Sequence, residues 1–391
     1  MKVLKKKLDV QIDGSCIYLV AFSIYFVSNF LAFTMFSYSI PSLVGSVVRA
    51  LVLALIIFKF IEFDTFNVNE LMLFGSLLFL SIIVTITSGN KDIFFLILLI
   101  VGAKDVSFER IVKLFFVLGT IMLTFTVISS LFGVIKNLMF FRGASRRYSL
   151  GMIYPTNLAA MIFYLMVGYC YLKEKFLSVL DYLTMFIILV ITFLLTATRL
   201  NALIMLFLLI IMVIYQRFTS DKSTKFERLL IKYSWLGMPV AFVIIGWLTS
   251  IYDPENRLTS LINHVLSGRL DLGHFALNSH NITMFGQFIP QNGWGGLSGA
   301  NPSKNFSYFF IDSSFLRLLL MYGIIFTIVV VLGFVIITKK LLRNQNVLIP
   351  LLLLVVAVSS MFDANLLEIS VNPFLWIFFA DLTKNNEKLY S

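Results

Sequence analysis

The chain has 391 residues, of which 59% are hydrophobic and 13% charged, whereas soluble domains are about half apolar and about a quarter charged. Its mean hydropathy of +0.93 excludes a soluble globular enzyme and predicts a single, all-α polytopic membrane domain over residues 1–391. The formal net charge of +11 does not indicate nucleic-acid binding, because Lys and Arg collect in the cytoplasmic loops of membrane proteins for topological reasons.

Apolar runs long enough to cross a bilayer recur along the sequence. Basic residues at 2–7 precede the first run. That run is longer than a signal-peptide core and has no small-residue cleavage pattern, so we interpret it as a retained span. We predict about 12 transmembrane helices, of which the fourth is short, near residues 15–36, 42–61, 69–87, 92–103, 111–135, 153–172, 179–198, 200–216, 231–251, 313–337, 347–361 and 371–383.

The placement of basic residues predicts the orientation of these spans. Most of the 31 Lys and Arg residues lie at the two termini or in even-numbered connections. Since basic loops mark the cytoplasmic side, we expect both termini in the cytoplasm. Some arginines run against this bias and lie in outward connections: Arg142, Arg146, Arg147, Arg199, Arg257 and Arg269. Arginine at such positions favours bidentate contacts with phosphate or carboxylate, although scattered solvated arginines are the alternative.

One outward connection, residues 252–311, is far longer than a typical loop and contains all three histidines. Leu258, Leu261 and Val265 recur in it at helical spacing, which predicts a short amphipathic helix on the membrane surface. Gly268 would end that helix and leave Arg269 at its tip. Five aromatic residues are candidates to stack on sugar rings or to anchor the chain at the interface, namely Trp294, Tyr308, Phe309, Phe310 and Phe315.

Several kinds of chemistry lack a motif in this sequence. There is no GxxxxGK loop and no GxGxxG after a strand, so nucleotide-driven chemistry has no support. His264, His274 and His280 do not have the spacing of a zinc motif and no outward DxD pair is present, so we expect no metal and no cofactor. Cys16 and Cys170 lie in separate apolar runs without CxxC spacing, which argues against a disulfide framework.

Four short segments, with the long loop before a late span, resemble the bacterial superfamily of O-antigen polymerases and ligases over roughly residues 110–340. They are Arg147-Tyr148-Ser149-Leu150-Gly151 with Pro155-x-Asn157, Thr198-Arg199, Ser267-Gly268-Arg269, and Ile311-Asp312-Ser313-Ser314-Phe315-Leu316-Arg317 continuing to Gly323. The resemblance implies a GT-C-like fold with a large loop between helices 9 and 10. It also implies a multi-pass protein of the bacterial cytoplasmic membrane, with its active site on the extracytoplasmic face.

The resemblance favours a polymerase over a ligase. Ligases of the superfamily carry His-Asn where this chain has Asp312-Ser313. The chain is similar there to the Asp-Asn variant of the repeat-unit (Wzy-like) polymerases, with Ser in place of Asn. His280-Asn281 also reads as a His-Asn pair, but it lies close to the place where the family has a Phe-Gly turn such as Phe285-Gly286.

A polymerase of this kind transfers glycan from one undecaprenyl-pyrophosphate-linked oligosaccharide to a sugar hydroxyl of another, by inverting, metal-independent chemistry. The resemblance implies that Arg199 and Arg269 clamp the pyrophosphate and that Asp312 accepts the proton. Further residues are expected to bind substrate, namely Arg142, Arg146, Arg147, Asn157, Arg317 and His280. A flippase and a chain-length regulator are the expected protein partners.

Other interpretations stay open at this point. Asp312 is also a plausible N-cap of the tenth span, and Asp363 or Glu368 is the next candidate base. Arg317 and Arg49 lie within apolar spans, where an arginine needs a polar cavity or a structural ion pair. At the level of the protein, the alternatives are an O-antigen-type ligase and a lipid-linked oligosaccharide translocase. Transporters commonly have paired repeats, which we do not see here.

Overall fold

The computed structural model describes residues 13–143, 145–173, 177–301 and 307–383. Basic residues used to predict the orientation, at positions within 2–7 and at 175, 304, 384 and 388, lie outside these ranges. The elements are α1 Gly14–Ala32, α2 Ser42–Glu62, α3 Val68–Ser88, α4 Asp92–Gly102, α5 Phe108–Leu131, β1 Met139–Arg142, β2 Ser145–Tyr148, α6 Pro155–Lys173, α7 Val179–Thr196, α8 Arg199–Thr219, α9 Lys225–Tyr233, α10 Gly237–Ser250, α11 Arg257–Val265, α12 Arg269–Ser279, α13 Gly296–Ala300, α14 Ser314–Arg317, α15 Gly323–Arg343 and α16 Leu348–Ser360. The predicted all-α polytopic membrane fold is confirmed.

Within the described ranges, nine helices or joined helices are long and apolar enough to cross a membrane. Helices α4 and α16 occupy two other predicted spans but are shorter, with 11 and 13 residues. The last predicted span, 371–383, is wrong as an α-helix, because it contains only a 3-10 helix at Pro373–Phe378. Residues 373–377 are buried inside the protein, where non-helical backbone is tolerated because lipid does not reach it.

The helices run back and forth, so their connections gather at two ends of the bundle. At the end that carries residues 251–301 and 307–313, which we call the loop end, the backbone amide of Leu297 donates to the Tyr38 hydroxyl over 2.9 Å. At the same end, the Thr87 hydroxyl donates to the carbonyl of Phe285 over 2.7 Å. At the opposite end, the amide of Phe108 donates to the carbonyl of Asp381 over 2.8 Å. These hydrogen bonds connect segments that are far apart in the sequence at both ends of the bundle.

Helices α6 and α16 form the centre of the bundle. Both are apolar around their whole circumference, which is the pattern of a helix enclosed by protein, and most of their side chains are buried. Each ends or begins at the loop end next to connections that carry polar side chains. The polar connections of the loop end therefore adjoin two buried helices.

The predicted amphipathic helix is confirmed as α11, with Leu258, Leu261 and Val265 exposed along one side, and its location on the membrane surface stays a prediction. Its predicted end is wrong by a few residues, since α11 stops at Val265 rather than at Gly268. Gly268 has a left-handed backbone, with φ of 85°, and directly precedes α12. Arg269 is therefore the first residue of a second helix, which the sequence pattern did not predict.

The tenth predicted span is interrupted rather than continuous. A π-helical turn at Leu318–Tyr322 follows α14, and Gly323 then leaves helical geometry with φ of 88° and ψ of 167°. The long loop fills this break: the amide of Gln287 donates to the carbonyl of Met321 over 3.0 Å, and the amide of Ile324 donates to the carbonyl of Thr283 over 3.0 Å. A Cβ on Gly286 would lie 2.1 Å from the Met321 carbonyl oxygen, so this contact requires glycine.

Candidate functional site

The connection between α5 and α6 is a β-hairpin, which the sequence analysis missed. Strands β1 and β2 pair with Phe140 opposite Arg147 and Arg142 opposite Ser145. Because side chains alternate along a strand, Arg142 and Arg147 share one face of the hairpin and Arg146 lies on the other. Gly143, with φ of 57°, lies at its turn and is the one local signal that a hairpin is present.

Arg147 ties this hairpin to the helices behind it. Its Nε donates to the carbonyl of Thr196 over 2.8 Å and its Nη1 donates to the Tyr154 hydroxyl over 3.2 Å. The guanidinium also lies 5.3 Å from the centre of the Tyr154 ring. Since Thr196 ends α7 and its carbonyl has no partner further along the helix, the buried Arg147 satisfies a group that would otherwise be costly.

Arg199 lies at the turn between α7 and α8, close to the hydrogen bond between Arg147 and the carbonyl of Thr196. The hydroxyls of Thr196 and Thr198 are 2.7 Å apart, Ala197 has φ of 48°, and α8 then begins at Arg199. The Arg199 side chain is exposed. A helix N-terminus has free amides and a partial positive charge, so Arg199 adds its charge to a position that already favours anions.

Two backbone carbonyls hold the Arg269 side chain in the long loop. Its Nε donates to the carbonyl of Phe362 over 2.8 Å and its Nη1 donates to the carbonyl of Leu266 over 3.3 Å. The same Nε is 3.9 Å from Oδ2 of Asp312, and the two side chains are 12% and 24% exposed. The structure thus brings together two of the three residues to which the resemblance assigns catalytic roles.

Asp312 is not the N-cap of the tenth span, so that alternative is wrong. Ser313 takes this role, with its Oγ accepting from the amide of Leu316 over 3.5 Å. The Asp312 carboxylate is therefore not engaged in capping and faces Arg269 instead.

A second carboxylate, Asp363, lies beside this pair. Its backbone carbonyl accepts from the amide of Ser314 over 3.1 Å, and its side chain accepts from the Asn365 amide. Burial raises the pKa of Asp363 to about 6, against the lowering effects of Asn365 and Arg269, while the charge of Asp312 raises it further. Asp363, the next candidate base from the sequence, thus lies near enough to Asp312 for the two charges to interact.

Electrostatic coupling joins the hairpin to the loop. Arg142 keeps an exposed surface, but desolvation and the positive charges of Arg147, Arg269 and Arg199 lower its pKa. Burial raises the pKa of Tyr308, and the charge of Asp312 raises it as well. We call this group the arginine site, which consists of Arg142, Arg147, Arg199, Arg269, Asp312 and Asp363. Its positive charges outnumber its carboxylates.

Other predicted substrate-binding residues lie outside the arginine site. Arg146 points away on the far face of the hairpin. Asn157 lines a small cavity with Asn365. His280 stacks on Phe309 with the ring centres 6.3 Å apart, and its Nδ1 is 3.3 Å from the carbonyl of Ala276. The structure assigns these three residues no contact with the arginines, and their roles in binding remain predictions.

Arg317 faces a polar cavity of its own, as expected for an arginine inside a span. Its Nε donates to the carbonyl of Ile311 and its Nη2 donates to Oε1 of Gln291, both over 2.8 Å. Glu368 and Asp92 line the same cavity. Burial and the charge of Asp92 raise the pKa of Glu368 to about 8, while Arg317 lowers it. Arg317 thus holds the carbonyl of the residue that directly precedes Asp312.

The aromatic residues of the loop divide into two groups. Phe315 is fully buried and packs on Phe242 with ring centres 5.9 Å apart, so the expectation that it stacks on sugars is wrong. Trp294 stacks on Tyr308 at 5.3 Å, and Tyr308 is coupled to the arginine site. Among the described residues, no three His, Cys, Asp or Glu side chains are grouped as metal ligands.

Comparisons with protein-family models, with curated proteins and with solved structures return no match to this chain. The arginine site therefore has to be interpreted from its own chemistry. It combines excess positive charge, two neighbouring carboxylates and nearby aromatic rings at one end of a membrane-spanning bundle.

Proposed function

We propose that this chain is a membrane glycosyltransferase that polymerises undecaprenyl-pyrophosphate-linked repeat units of a bacterial surface polysaccharide. The arginine site is the observation that carries this proposal. A lipid diphosphate bears several negative charges close to the membrane surface, and arginine is the residue best suited to bind it through paired hydrogen bonds. The loop end would then face the extracytoplasmic side of the cytoplasmic membrane, where such substrates are used.

Two arginines would act on the leaving group. The bond between C1 of the donor sugar and the pyrophosphate oxygen breaks, and its electron pair stays with that oxygen. Arg269 and Arg199, together with the α8 N-terminus, would stabilise the negative charge as it develops. The carbonyls of Phe362 and Leu266 hold the Arg269 guanidinium in position before substrate arrives, so little reorganisation is needed during the reaction.

Asp312 would act on the acceptor. A sugar hydroxyl attacks C1 from the face opposite the pyrophosphate, which inverts the configuration, and its proton passes to the Asp312 carboxylate. Asp363 lies close enough for its charge to be coupled to Asp312 and is the alternative proton acceptor. A flippase that delivers the lipid-linked unit and a regulator of chain length remain the expected partners.

The direct test is reconstitution of the purified protein with an undecaprenyl-pyrophosphate-linked repeat unit, followed by separation of the products by size. We expect a ladder of polymer lengths from the wild type and none from Arg269→Ala. Arg228→Ala is the matched control, because Arg228 is an exposed arginine at the opposite end of the bundle. A chelator such as EDTA should leave the ladder unchanged, and a chelator-sensitive ladder would overturn the metal-independent mechanism.

Two other results would replace the proposal by its rivals. Transfer of preformed glycan to a different acceptor, without growth of the chain, would indicate a ligase. Movement of the lipid-linked unit across the bilayer, without any new glycosidic bond, would indicate a translocase.

A further inference from the structure

A groove of about 640 Å³ lies between the loop-end halves of α1 and α2. Its walls include apolar side chains such as Val27, Val44 and Val48, and Arg49 and Asp92 also line it. The contact of Tyr38 with Leu297 fixes the connection beside the groove at the loop end. The groove is thus an apolar channel with a charged residue from a membrane span in its wall.

Arg49 has unused hydrogen-bonding capacity in this groove. Its Nη1 is 3.8 Å from Oδ1 of Asp92, which is beyond hydrogen-bond distance, and its side chain is 32% exposed. Gly45 lies one turn nearer the loop end, and a Cβ there would be 3.6 Å from the Arg49 Nη2. Because glycine has no side chain, the guanidinium stays uncovered. An arginine within a span is expensive unless an anion or a polar cavity receives it.

The groove shares a wall residue with the polar cavity around Arg317. Asp92 lines both of them and accepts from the Tyr25 hydroxyl over 3.0 Å. Asn29, on the groove wall, donates to Glu368 over 3.2 Å. Arg317 lines the same cavity and holds the carbonyl of Ile311, the residue before Asp312. A row of polar side chains therefore leads from Arg49 towards the proposed proton acceptor.

We propose that this groove binds a second lipid substrate, with Arg49 as the ligand of its phosphate and the apolar walls against the first isoprenoid units. This inference rests on the proposed function, which needs a donor and an acceptor lipid at the same time. The arginine site takes one diphosphate, and the groove holds the other at a distance from it. The occupant is a polyprenyl-linked glycan and not a bulk phospholipid, because polar side chains extend from the groove wall towards Asp312 and suit the glycan of an acceptor.

The test measures lipid binding at the groove, independently of polymer formation. The full chain, in lipid nanodiscs, carries a photoreactive amino acid in place of Val44, and the probe is labelled undecaprenyl phosphate. We expect Arg49→Ala to lower photolabelling about tenfold or more, which corresponds to the loss of a charge-assisted hydrogen bond. Gly45→Trp should lower it similarly by covering the guanidinium. Arg269→Ala should leave it unchanged.

Gly246→Trp is the matched control for Gly45→Trp, because Gly246 is also a helical glycine with open space around it. Its labelling should equal that of the wild type. Two results would overturn the inference in favour of a general lipid contact. One is equal labelling of the wild type and Arg49→Ala, and the other is suppression of the labelling by phosphatidylglycerol at equal concentration. Specific labelling without any polymer ladder would support the groove and overturn the polymerase, so the two failures are distinguishable.

Discussion

The two ends of the bundle differ in the distances at which their charged side chains form ion pairs. At the opposite end, five of the described basic residues pair closely with acids, at 2.6 to 3.4 Å, in Lys59–Asp64, Lys104–Glu70, Lys173–Asp181, Arg217–Glu227 and Arg228–Asp221. At the loop end, the described ion pairs are looser, at 3.8 Å for Arg49–Asp92 and 3.9 Å for Arg269–Asp312. Close pairing neutralises charge, whereas loose pairing leaves it available to a ligand.

Backbone carbonyls take the place of acids at the loop end. Arg147, Arg269 and Arg317 each donate Nε to a carbonyl, of Thr196, Phe362 and Ile311 respectively, over 2.8 Å. A carbonyl fixes the direction of a guanidinium without cancelling its charge. The difference between the ends is therefore a difference between charges that stabilise the fold and charges positioned to bind an anion, and the following substitutions test it.

The largest effect is expected for Asp312→Asn, which keeps the size of the side chain but removes the proton acceptor. We expect polymer formation to fall by about a hundredfold to ten-thousandfold, with normal protein levels because Ser313 caps the helix. The rate of ladder formation measures this. Asp221→Asn, at an exposed carboxylate of the opposite end, is the control. Full activity of Asp312→Asn would move the role of base to Asp363.

Lys59→Met probes the opposite end, where charge should serve stability alone. Lys59 and Asp64 are 1% and 4% exposed and 2.6 Å apart, so removal of one partner leaves a buried carboxylate uncompensated. We expect a loss of about 3 to 5 kcal/mol in the free energy of unfolding. Thermal unfolding in detergent measures it, and the double variant Lys59→Met with Asp64→Leu should recover most of the loss. Polymer formed per folded molecule should not change.

Arg199→Ala tests whether the uncovered charge at the start of α8 acts on the leaving group. We expect the rate of polymer formation to fall about a hundredfold to a thousandfold, while thermal stability stays the same because the side chain is exposed. Size-resolved products at saturating donor provide the measurement. A rate within twofold of the wild type would show that the anion is held by Arg269 and Arg142 without Arg199.

Gly286→Ala tests the contact between the long loop and the broken span. The residue has φ of 86°, and a Cβ would lie 2.1 Å from the Met321 carbonyl oxygen. We expect a loss of roughly 1 to 3 kcal/mol from backbone strain alone, and faster hydrogen exchange at the amides of Ile324 and Ile325. Gly246→Ala, where space is open, should leave both unchanged. An unaltered exchange rate in Gly286→Ala would contradict the docking of the loop in this break.

The smallest effect is expected for Glu368→Gln at neutral pH. Because the pKa of Glu368 is raised to about 8, its carboxyl is mostly protonated at pH 7, and an amide is a close substitute. Polymer formation should then change less than about twofold. Above pH 8, wild-type Glu368 ionises beside Asp92, so wild-type activity should decline while that of the variant does not. A large loss at pH 7 would show that the charged form is the active one.

The sequence predicted the fold correctly where contact with lipid requires long apolar helices. A helix that crosses a bilayer needs about 20 apolar residues, and this requirement located the long spans. It failed at residues 371–383 because that segment is enclosed by protein, so its backbone need not be helical. The same requirement did not predict the break at Gly323, because a single glycine in an apolar run is compatible with a continuous helix.

The sequence predicted only part of the candidate site. Arg269 was selected by its type and outward position and Asp312 by the resemblance, and the structure places the two together. The carbonyl partners of Arg147, Arg269 and Arg317 were not accessible, because every residue has a carbonyl and the sequence therefore carries no signal for one. The hairpin was missed because its strands have four residues each, which is too short for an alternating pattern to stand out.

The insertion of residues 283–287 into the break of the tenth span limits how this protein can be recombined with others. The loop and the span share hydrogen bonds from Thr283 to Ile325, and the two glycines at the crossing fit only each other. A chimaera that exchanges the loop alone would risk leaving the amides of Ile324 and Ile325 without their carbonyl partners. Transfer of substrate specificity to another protein would therefore require exchange of the loop together with Gly323 and the first turn of α15. We expect these two segments to vary together among related sequences.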